Sequence, residues 1–270
     1  MAKPMIKPED FKLQESLGKI KHVLIVISGK GGVGKSTVSS NLALALAERG
    51  NSVGLMDIDI TGPNIAKMFG VEDVVLDVEN DKLVPVKYGK SLKLMSMAFL
   101  LPDRDSPVLW RGPIKMGAIR QFIEDVNWGE IDYLVVDMPP GTGDEALSIV
   151  QLIPEADGMV VVTTPQDVAV LDARKTINFS RQAEIPLLGL IENMSGFVCP
   201  HCGETTDIFG KGGGKRAAGE LGVDFLGSVP IDGEVSVSSD RGRPIIEAKP
   251  DSPTSKAFLD IAGKIAARVK

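Results

Sequence analysis

The chain has 270 residues, 43% of them hydrophobic, which is enough to build one large α/β domain. Its 30 basic and 36 acidic side chains give a net charge of −6, which argues against binding nucleic acid through the phosphate backbone. The first residues lack the apolar core of a signal peptide, and no uncharged apolar run approaches the ~18 residues that span a bilayer. We therefore expect a soluble, cytoplasmic protein that binds neither membrane nor nucleic acid.

Short apolar runs rich in valine, isoleucine and leucine recur along the chain and predict buried strands. They occupy residues 22–28, 52–59, 92–99, 132–139, 158–165, 186–193 and 224–230. Continuous apolar runs of this kind are typical of parallel strands that are covered on both faces. Between most of them, apolar residues recur every three or four positions, which predicts helices. This alternation predicts an α/β fold with a doubly wound, mainly parallel sheet flanked by helices.

The same pattern suggests a simple domain organisation. We expect residues 1–20 to form an N-terminal extension and residues 21–270 to form a single domain. Residues 70–91 predict a loop or a short hairpin, and residues 194–220 interrupt the order of strands. We expect a cysteine-bearing segment, inserted near residues 194–210, to carry both cysteines. The last nineteen residues predict an amphipathic helix that packs on its own domain. The apolar face of that helix consists of Phe258, Ile261, Ile265 and Val269.

The segment "GKGGVGKS" (29–36) matches the phosphate-binding pattern GxxxxGK[ST], and it lies between a predicted strand and a predicted helix. Glycines allow consecutive backbone N–H groups to point at phosphates, and the start of the helix adds its positive dipole end. We expect Lys35 to neutralise the β and γ phosphates, Ser36 to hold Mg²⁺ and Thr37 to contact the α-phosphate. The predicted nucleotide-binding residues of this loop are Gly29, Gly31, Gly32, Val33, Gly34, Lys35, Ser36 and Thr37.

Three aspartates end predicted strands at the edge of the sheet where the phosphates would bind. Asp137 closes the run "YLVVD" and is expected to serve Mg²⁺ directly or through a bound water. Asp57 and Asp59 close the strand after the phosphate loop, and alternation predicts that their side chains share one face. One of them could orient the attacking water, and Asp57 is a second candidate for the magnesium site. The alternative for both is a solvated carboxylate at a strand end.

The only cysteines, Cys199 and Cys202, stand three apart in "CPHCG", where Pro200 and Gly203 would bend both thiols toward one point. A redox pair, a zinc site and a shared metal site are the possible interpretations. Four protein ligands are usual for zinc or an iron–sulfur cluster, and one chain offers two thiolates. A twofold dimer that brings two such cysteine pairs together supplies four thiolates, enough for a [4Fe–4S] cluster or for zinc.

Taken together, "KGGVGKST", "DIDITGPN", "DMPPGTGDE" and "CPHCG" resemble the Mrp/ApbC-type iron–sulfur cluster carriers. These belong to the deviant P-loop NTPase group, with the Min-type division ATPases and the nitrogenase iron protein. The resemblance covers roughly residues 20–265. It implies a homodimeric, slow ATPase that binds a [4Fe–4S] cluster between its subunits and transfers it to apo iron–sulfur proteins.

The resemblance also implies roles for particular residues. Lys30 would reach across the dimer interface to the partner's nucleotide, and Asp59 would be the catalytic aspartate of the first switch. Residues 139–144 would form the second switch, which senses the γ-phosphate. The adenine contacts would come from Asn193, Pro230 and Asp232. Since the chain lacks an NKxD pattern, ATP is favoured over GTP.

The alternative function is an ATP-switched organiser of the Min or Par type, which would act on membrane or DNA. Its distinguishing feature would be a C-terminal amphipathic helix that is free to bind lipid. The cysteine pair has no role in that interpretation, which is why the carrier is favoured.

Overall fold

Eight strands form the central sheet of the computed structural model, which describes residues 11–101, 112–154, 156–199 and 201–269. The strands are β1 (Ile20–Ser28), β2 (Val53–Asp57), β3 (Val78–Glu79), β4 (Lys82–Leu83), β5 (Val86–Tyr88), β6 (Leu92–Ser96), β7 (Ile131–Asp137), β8 (Gly158–Thr163), β9 (Leu187–Glu192), β10 (Phe197–Val198), β11 (Thr205–Thr206) and β12 (Phe225–Ser228). The order in the sheet is β12-β9-β8-β1-β7-β2-β6-β5. Its neighbours pair in parallel, except that β5 runs antiparallel to β6 at one edge.

Helices cover both faces of this sheet. They are α1 (Phe11–Leu17), α2 (Lys35–Glu48), α3 (Ile65–Met68), α4 (Gly112–Asp125), α5 (Asp144–Gln151), α6 (Asp167–Gln182), α7 (Gly213–Leu221), α8 (Gly233–Asp240), α9 (Ile245–Ala248) and α10 (Pro253–Ala266). Side chains of α1, α4, α5 and α6 pack on one face, while those of α2, α9 and α10 pack on the other. Successive residues of a strand point to opposite faces, so β1 contributes Ile25 and Ile27 to the first core and Leu24 and Val26 to the second.

The predicted doubly wound α/β fold is confirmed, and each predicted apolar run contains a strand. Most of these strands are shorter than the predicted runs. The run 52–59 ends as a strand at Asp57, and the run 92–99 ends at Ser96 and continues as a 3-10 turn, Met97–Leu100. Within residues 70–91, the small hairpin β3–β4 and the edge strand β5 replace a plain loop.

A helix lies within the predicted N-terminal extension. Leu13 and Leu17 of α1 are buried in the first core, and Ser16 Oγ donates to the carbonyls of Ile123 and Val126 at 2.9 and 3.0 Å. Residues 11–17 therefore pack as part of the domain. The remainder of the predicted extension, residues 1–10, lies outside the described residues.

The C-terminal helix packs on its own domain as predicted. Phe258, Ile261 and Ile265 are at most 1% exposed, and Val269 is also buried, in the core shared with α2. Within the described ranges, no helix combines the length and apolar character needed to cross a membrane. The face that could have bound lipid thus forms part of the protein interior.

Candidate functional site

The phosphate loop joins the end of β1 to the start of α2 beside Asn193. Gly34, immediately before the helix, has a φ of 81°, a left-handed conformation that favours glycine. A Cβ at Gly34 would lie 2.2 Å from Asn193 Nδ2, and one at Gly29 would lie 2.5 Å from the Asp172 carbonyl oxygen. Conformation and close packing therefore both require glycine in this loop. The loop surrounds a cavity of about 320 Å³, which includes Lys35, Ser36 and Asp59 in its walls.

Asp137 is the centre of a compact hydrogen-bond network under this cavity. Lys35 Nζ and Ser36 Oγ donate to Asp137 Oδ2 at 2.8 and 2.7 Å. Ser39 Oγ, one turn further along α2, donates to the other carboxylate oxygen at 2.5 Å. The Ser36 hydroxyl and the Asp137 carboxylate are hard oxygen ligands and fit Mg²⁺. An ion held there would neutralise phosphate charge, while Ser39 keeps the Asp137 carboxylate in place.

Asp57 and Asp59 occupy different environments, contrary to the expectation of a shared strand face. Since β2 ends at Asp57, the chain has already turned at Asp59, and only Asp59 lines the phosphate cavity. Asp59 Oδ2 lies 4.0 Å from Lys35 Nζ. Asp57 is 1% exposed and pairs in register with Asp137 on the neighbouring strand.

Hydrogen bonds hold the Asp57 carboxyl outside the lining of the phosphate cavity. Its Oδ2 accepts hydrogen bonds from Ser96 Oγ at 2.9 Å and from the backbone N–H of Ile65 at 3.2 Å. Burial, together with the negative charge of Asp137, raises the pKa of Asp57 to about 8, and the Lys35 ammonium opposes this shift. The geometry therefore favours Asp59 over Asp57 as the group that faces a bound phosphate.

Lys30 has surroundings unlike those of Lys35. It is half-buried in the loop, and its carbonyl accepts a hydrogen bond from Ser28 Oγ at 2.9 Å. The strands β7 and β8 flank β1 in the sheet, so α5 and α6, which follow them, begin on either side of this loop. Both helices expose apolar side chains there. We call this surface the P-loop flank; it consists of Leu147, Val168 and Leu171, which are 38%, 68% and 56% exposed.

A second, mostly apolar cavity of about 460 Å³ adjoins the phosphate cavity, and Thr37 and Met68 line both. The structure brings together the three predicted adenine-contact residues in its wall, namely Asn193, Pro230 and Asp232. It also adds Met194 and Phe209, which sequence reasoning missed. The position and apolar lining of this cavity suit a nucleotide base.

Two of these predicted contacts already have structural partners. Asn193 Nδ2 donates to the Val33 carbonyl at 2.9 Å, so this amide braces the phosphate loop. Asp232 caps α8 by accepting from the backbone N–H of Glu234 at 2.9 Å, and it also accepts from Thr254 Oγ1 at 3.0 Å. Their assignment to adenine stays a prediction, and for Asp232 the side chain is occupied by these contacts.

The two cysteines lie at the turn of the small hairpin formed by β10 and β11. The backbone N–H of Cys199 donates to the Glu204 carbonyl, and the N–H of Gly203 donates to the Cys199 carbonyl, each at 2.9 Å. Cys202 is exposed and Cys199 is partly exposed. Hydrogen bonds from the backbone N–H groups of Cys202 and His201 lower the pKa of the Cys199 thiol.

This hairpin is open to solvent, and Pro200, which was predicted to help bend it, lies outside the described residues. Within the described ranges, no three or more histidine, cysteine, aspartate or glutamate residues are grouped so that they could hold a metal ion. The two thiols are thus presented together at the surface.

Glu192 is a functional candidate that the sequence did not reveal. It is fully buried at the end of β9, next to Asn193. Its carboxylate accepts from Ser195 Oγ at 2.5 Å, from Gly212 N–H at 2.9 Å and from Gly214 N–H at 2.6 Å. These contacts close the base of the cysteine-bearing segment and fasten the start of α7. In the sequence, the only feature that could have indicated Glu192 is its position as a single carboxylate at the end of the apolar run 186–193.

Comparison with known proteins shows the family of this chain. Residues 19–266 match a family model described as ParA, the NUBPL iron-transfer P-loop NTPases. The chain belongs to this family. It is 50% identical over 268 residues to an iron-sulfur cluster carrier protein of Methanocaldococcus jannaschii, which covers 99% of this chain and 92% of the relative. A cytosolic Fe-S cluster assembly factor NUBP2 homolog of Dictyostelium discoideum is 50% identical over 251 residues, covering 90% and 95%.

A solved structure supports the same assignment. The nucleotide-binding protein from Archaeoglobus fulgidus in complex with ADP is 40% identical, has a TM-score of 0.78, and covers 90% of this chain and 94% of that chain. The resemblance that was drawn from four short segments is therefore confirmed at the level of the family. In this iron-transfer P-loop NTPase, the loop from Gly29 to Thr37 stays the predicted nucleotide-phosphate site.

Proposed function

We propose that this P-loop NTPase binds and hydrolyses ATP with Mg²⁺ and carries a [4Fe–4S] cluster between two copies of the chain for delivery to apo iron–sulfur proteins. The observation that carries the proposal is the pair of thiols at an exposed hairpin turn, where neighbouring backbone N–H groups lower the pKa of Cys199. The thiolate is the form that ligates iron. The names of the relatives, a cluster carrier and a cluster assembly factor, point to the same cargo.

Ligand counting supports a site shared by two subunits. The chain contains two cysteines, and a cluster of this kind is usually held by four thiolates. A symmetric homodimer that juxtaposes the two hairpins supplies all four. A cluster held at such a seam can be released when the subunits separate, which suits a cargo better than a permanent cofactor. Zinc would fit the same four thiolates.

The nucleotide site supports a slow ATPase that is complete only in the dimer. Lys35 and Mg²⁺, held by Ser36 and Asp137, would neutralise the phosphates, and Asp59 would orient the attacking water. We assign Lys30 to the partner's nucleotide, since it lies beside the exposed P-loop flank. A cation supplied by a second subunit stabilises the transition state only when two chains meet.

The alternative, a membrane- or DNA-acting switch of the Min or Par type, has less support. The apolar face of α10 is buried against α2, so it would have to leave the core to bind lipid. We propose a cytoplasmic location, because thiols stay reduced there and because one relative is named as cytosolic.

Anaerobic reconstitution tests the cluster site. We expect the wild type to bind iron and sulfide as one [4Fe–4S] cluster per dimer, while Cys199→Ala and Cys202→Ala each lose both cluster retention and transfer to an apo-acceptor. All three proteins should still bind ATP, because the phosphate loop is a separate stretch of backbone. The measurements are iron and sulfide analysis, size determination and an ATP titration.

The matched control is Thr205→Ala, which alters an exposed residue of the same hairpin. It should behave as the wild type. Full iron loading of either cysteine variant, or a cluster bound stoichiometrically to a monomer, would contradict the bridging site and favour the zinc or redox interpretations.

A further inference from the structure

The apolar cavity next to the phosphate loop lies between two parts of the chain. One wall comes from the turn before α8 and from α8 itself, including Pro230 and Val235. A second part of the lining comes from Asn193, Met194 and Phe209, at the two ends of the cysteine-bearing segment. A base that fills this cavity would therefore contact both the turn at α8 and the cysteine-bearing segment.

Phe209 is the one aromatic residue of the cysteine-bearing segment that lines this cavity, among the residues the structure describes. Its side chain is 39% exposed, so one part of the ring contacts protein and the rest is open to a ligand. Flat aromatic rings stack on nucleotide bases, and the stacking does not require a particular base. Phe209 is therefore placed to close over a base that the rest of the cavity receives.

Short backbone links connect Phe209 to the thiols. Gly210 N–H, next to Phe209, donates to the Asp207 carbonyl at 3.0 Å, and Asp207 directly follows β11. On the other strand, the Gly196 carbonyl accepts from the N–H of Ile231 at 2.8 Å, and Ile231 itself lines the cavity. The hairpin that bears the cysteines is thus held at both ends by the walls of this cavity.

We propose that Phe209 stacks on the base of the bound nucleotide and thereby couples nucleotide binding to the order of the Cys199–Cys202 hairpin. The proposal rests on the proposed function, and it names the regulation of the same site. A ligand that bridges the two walls favours conformations in which the segment is closed against the domain. By linkage, a metal cluster that orders the hairpin must tighten nucleotide binding by the same factor.

The test uses the metal-free, reduced protein, in which the chain's two cysteines are the only targets of a thiol-alkylating reagent. We expect saturating ADP to slow alkylation about fivefold or more, the lower end of typical coupling between sites. Inorganic pyrophosphate fills the phosphate cavity without a base, and we expect it to give little protection. Equal protection by both ligands would overturn the role of the base cavity.

Variants locate the effect at the ring. Phe209→Ala should bind ADP about tenfold more weakly, the scale of one lost base–aromatic contact. At saturating ADP it should lose the protection of the cysteines, whereas Phe209→Tyr should keep both properties. The matched control is Ile208→Ala, since Ile208 is adjacent, is 52% exposed and is not part of the cavity lining.

The outcomes separate this proposal from the cluster assignment. Thiol protection is measured without iron, so a wild type that never accepts a cluster can still show it. Conversely, a wild type that accepts a cluster on reconstitution, but whose cysteines react equally fast with and without ADP when it is metal-free, would refute the coupling alone. Full protection in Phe209→Ala would refute the role of the ring.

Discussion

Lys30 and Lys35 share one loop but meet different surroundings. Lys35 is 7% exposed and is paired with Asp137, whereas Lys30 lies at the edge of the loop beside the exposed P-loop flank. A bound phosphate can take the place of Asp137 as the partner of Lys35 within one subunit. The position of Lys30 supports the proposal that it acts on the partner's nucleotide.

The two lysines should therefore give different mutant phenotypes. Lys35→Ala should abolish ATP binding or hydrolysis, because the phosphate charge loses its cation in a site of low effective dielectric. Lys30→Ala should still bind ADP as a monomer, while ATP turnover falls by about a hundredfold or more, as for the loss of one transition-state donor. An ADP titration and a turnover assay distinguish them. Normal turnover of Lys30→Ala would show that this lysine makes no contact with the partner's nucleotide.

Residues within one short motif could be predicted from the sequence, since local spacing determines their geometry. Gly31, Gly32, Gly34 and Lys35 are of this kind, and each lines the phosphate cavity. Asp59 also lines that cavity, but strand alternation wrongly placed it on one face with Asp57. The base of the cysteine-bearing segment could not be predicted, because Glu192 meets Gly214, 22 residues away, through tertiary packing. Phe209 was missed for the same reason.

At the scale of elements, the strand β9 carries more of the site than its apolar sequence suggests. Its terminal residue, Glu192, holds the start of α7 and Ser195, and the next residue braces the phosphate loop. The order of the parallel strands could be expected in outline, since continuous apolar runs indicate burial on both faces. The edge strand β5 could not, because three residues give too short a pattern.

Glu192→Gln tests how much the hydrogen bonds of the Glu192 carboxylate contribute to stability. The amide would direct an N–H group at a backbone N–H that now meets a carboxylate oxygen, leaving a buried donor without a partner. We expect the free energy of unfolding to fall by about 2 kcal/mol and thiol alkylation to become faster. Urea unfolding and the alkylation assay measure the two effects.

The control for this change is Glu220→Gln on α7, the helix whose start Glu192 holds; the Glu220 side chain is 58% exposed and pairs with Arg174. Its stability should change by no more than about 0.5 kcal/mol, as is usual for surface substitutions. A Glu192→Gln protein as stable as this control would show that the Glu192 hydrogen bonds contribute little to the free energy of unfolding.

At the scale of the whole molecule, two separate surfaces of the chain favour association with a second copy. One adjoins the phosphate loop and the other carries the two thiols. The P-loop flank exposes apolar side chains on the two helices that begin on either side of the phosphate loop, and the hairpin presents two of the four thiolates that a cluster requires. In the proposed homodimer, nucleotide turnover and cluster binding would both depend on the same association.

Leu171→Asp should therefore separate monomer from dimer properties, because it places a charge within the P-loop flank. We expect ADP affinity to stay within about twofold of the wild type, since the residue does not line either cavity. ATP turnover and cluster loading should both be lost. Size measurement with ATP, turnover and iron analysis provide the readouts.

Val75→Asp is the control, since Val75 is 88% exposed and lies between α3 and β3, away from the P-loop flank. It should assemble and turn over as the wild type does. If Leu171→Asp also formed a dimer that binds the cluster, the subunits would have to meet through another surface.

Glu192 and Asn193 are adjacent, yet one serves the cysteine-bearing segment and the other serves the phosphate loop. Their side chains have opposite hydrogen-bonding roles. The Glu192 carboxylate accepts three hydrogen bonds, while the Asn193 amide donates one to the Val33 carbonyl. A one-residue shift of β9 in one direction would bring the Glu192 carboxylate against that carbonyl, and a shift in the other direction would replace the carboxylate at the α7 N–H groups by the Asn193 amide. Insertions and deletions are therefore expected to be tolerated in the loop before β9 but not within the strand itself, because a change of length there would misplace both side chains.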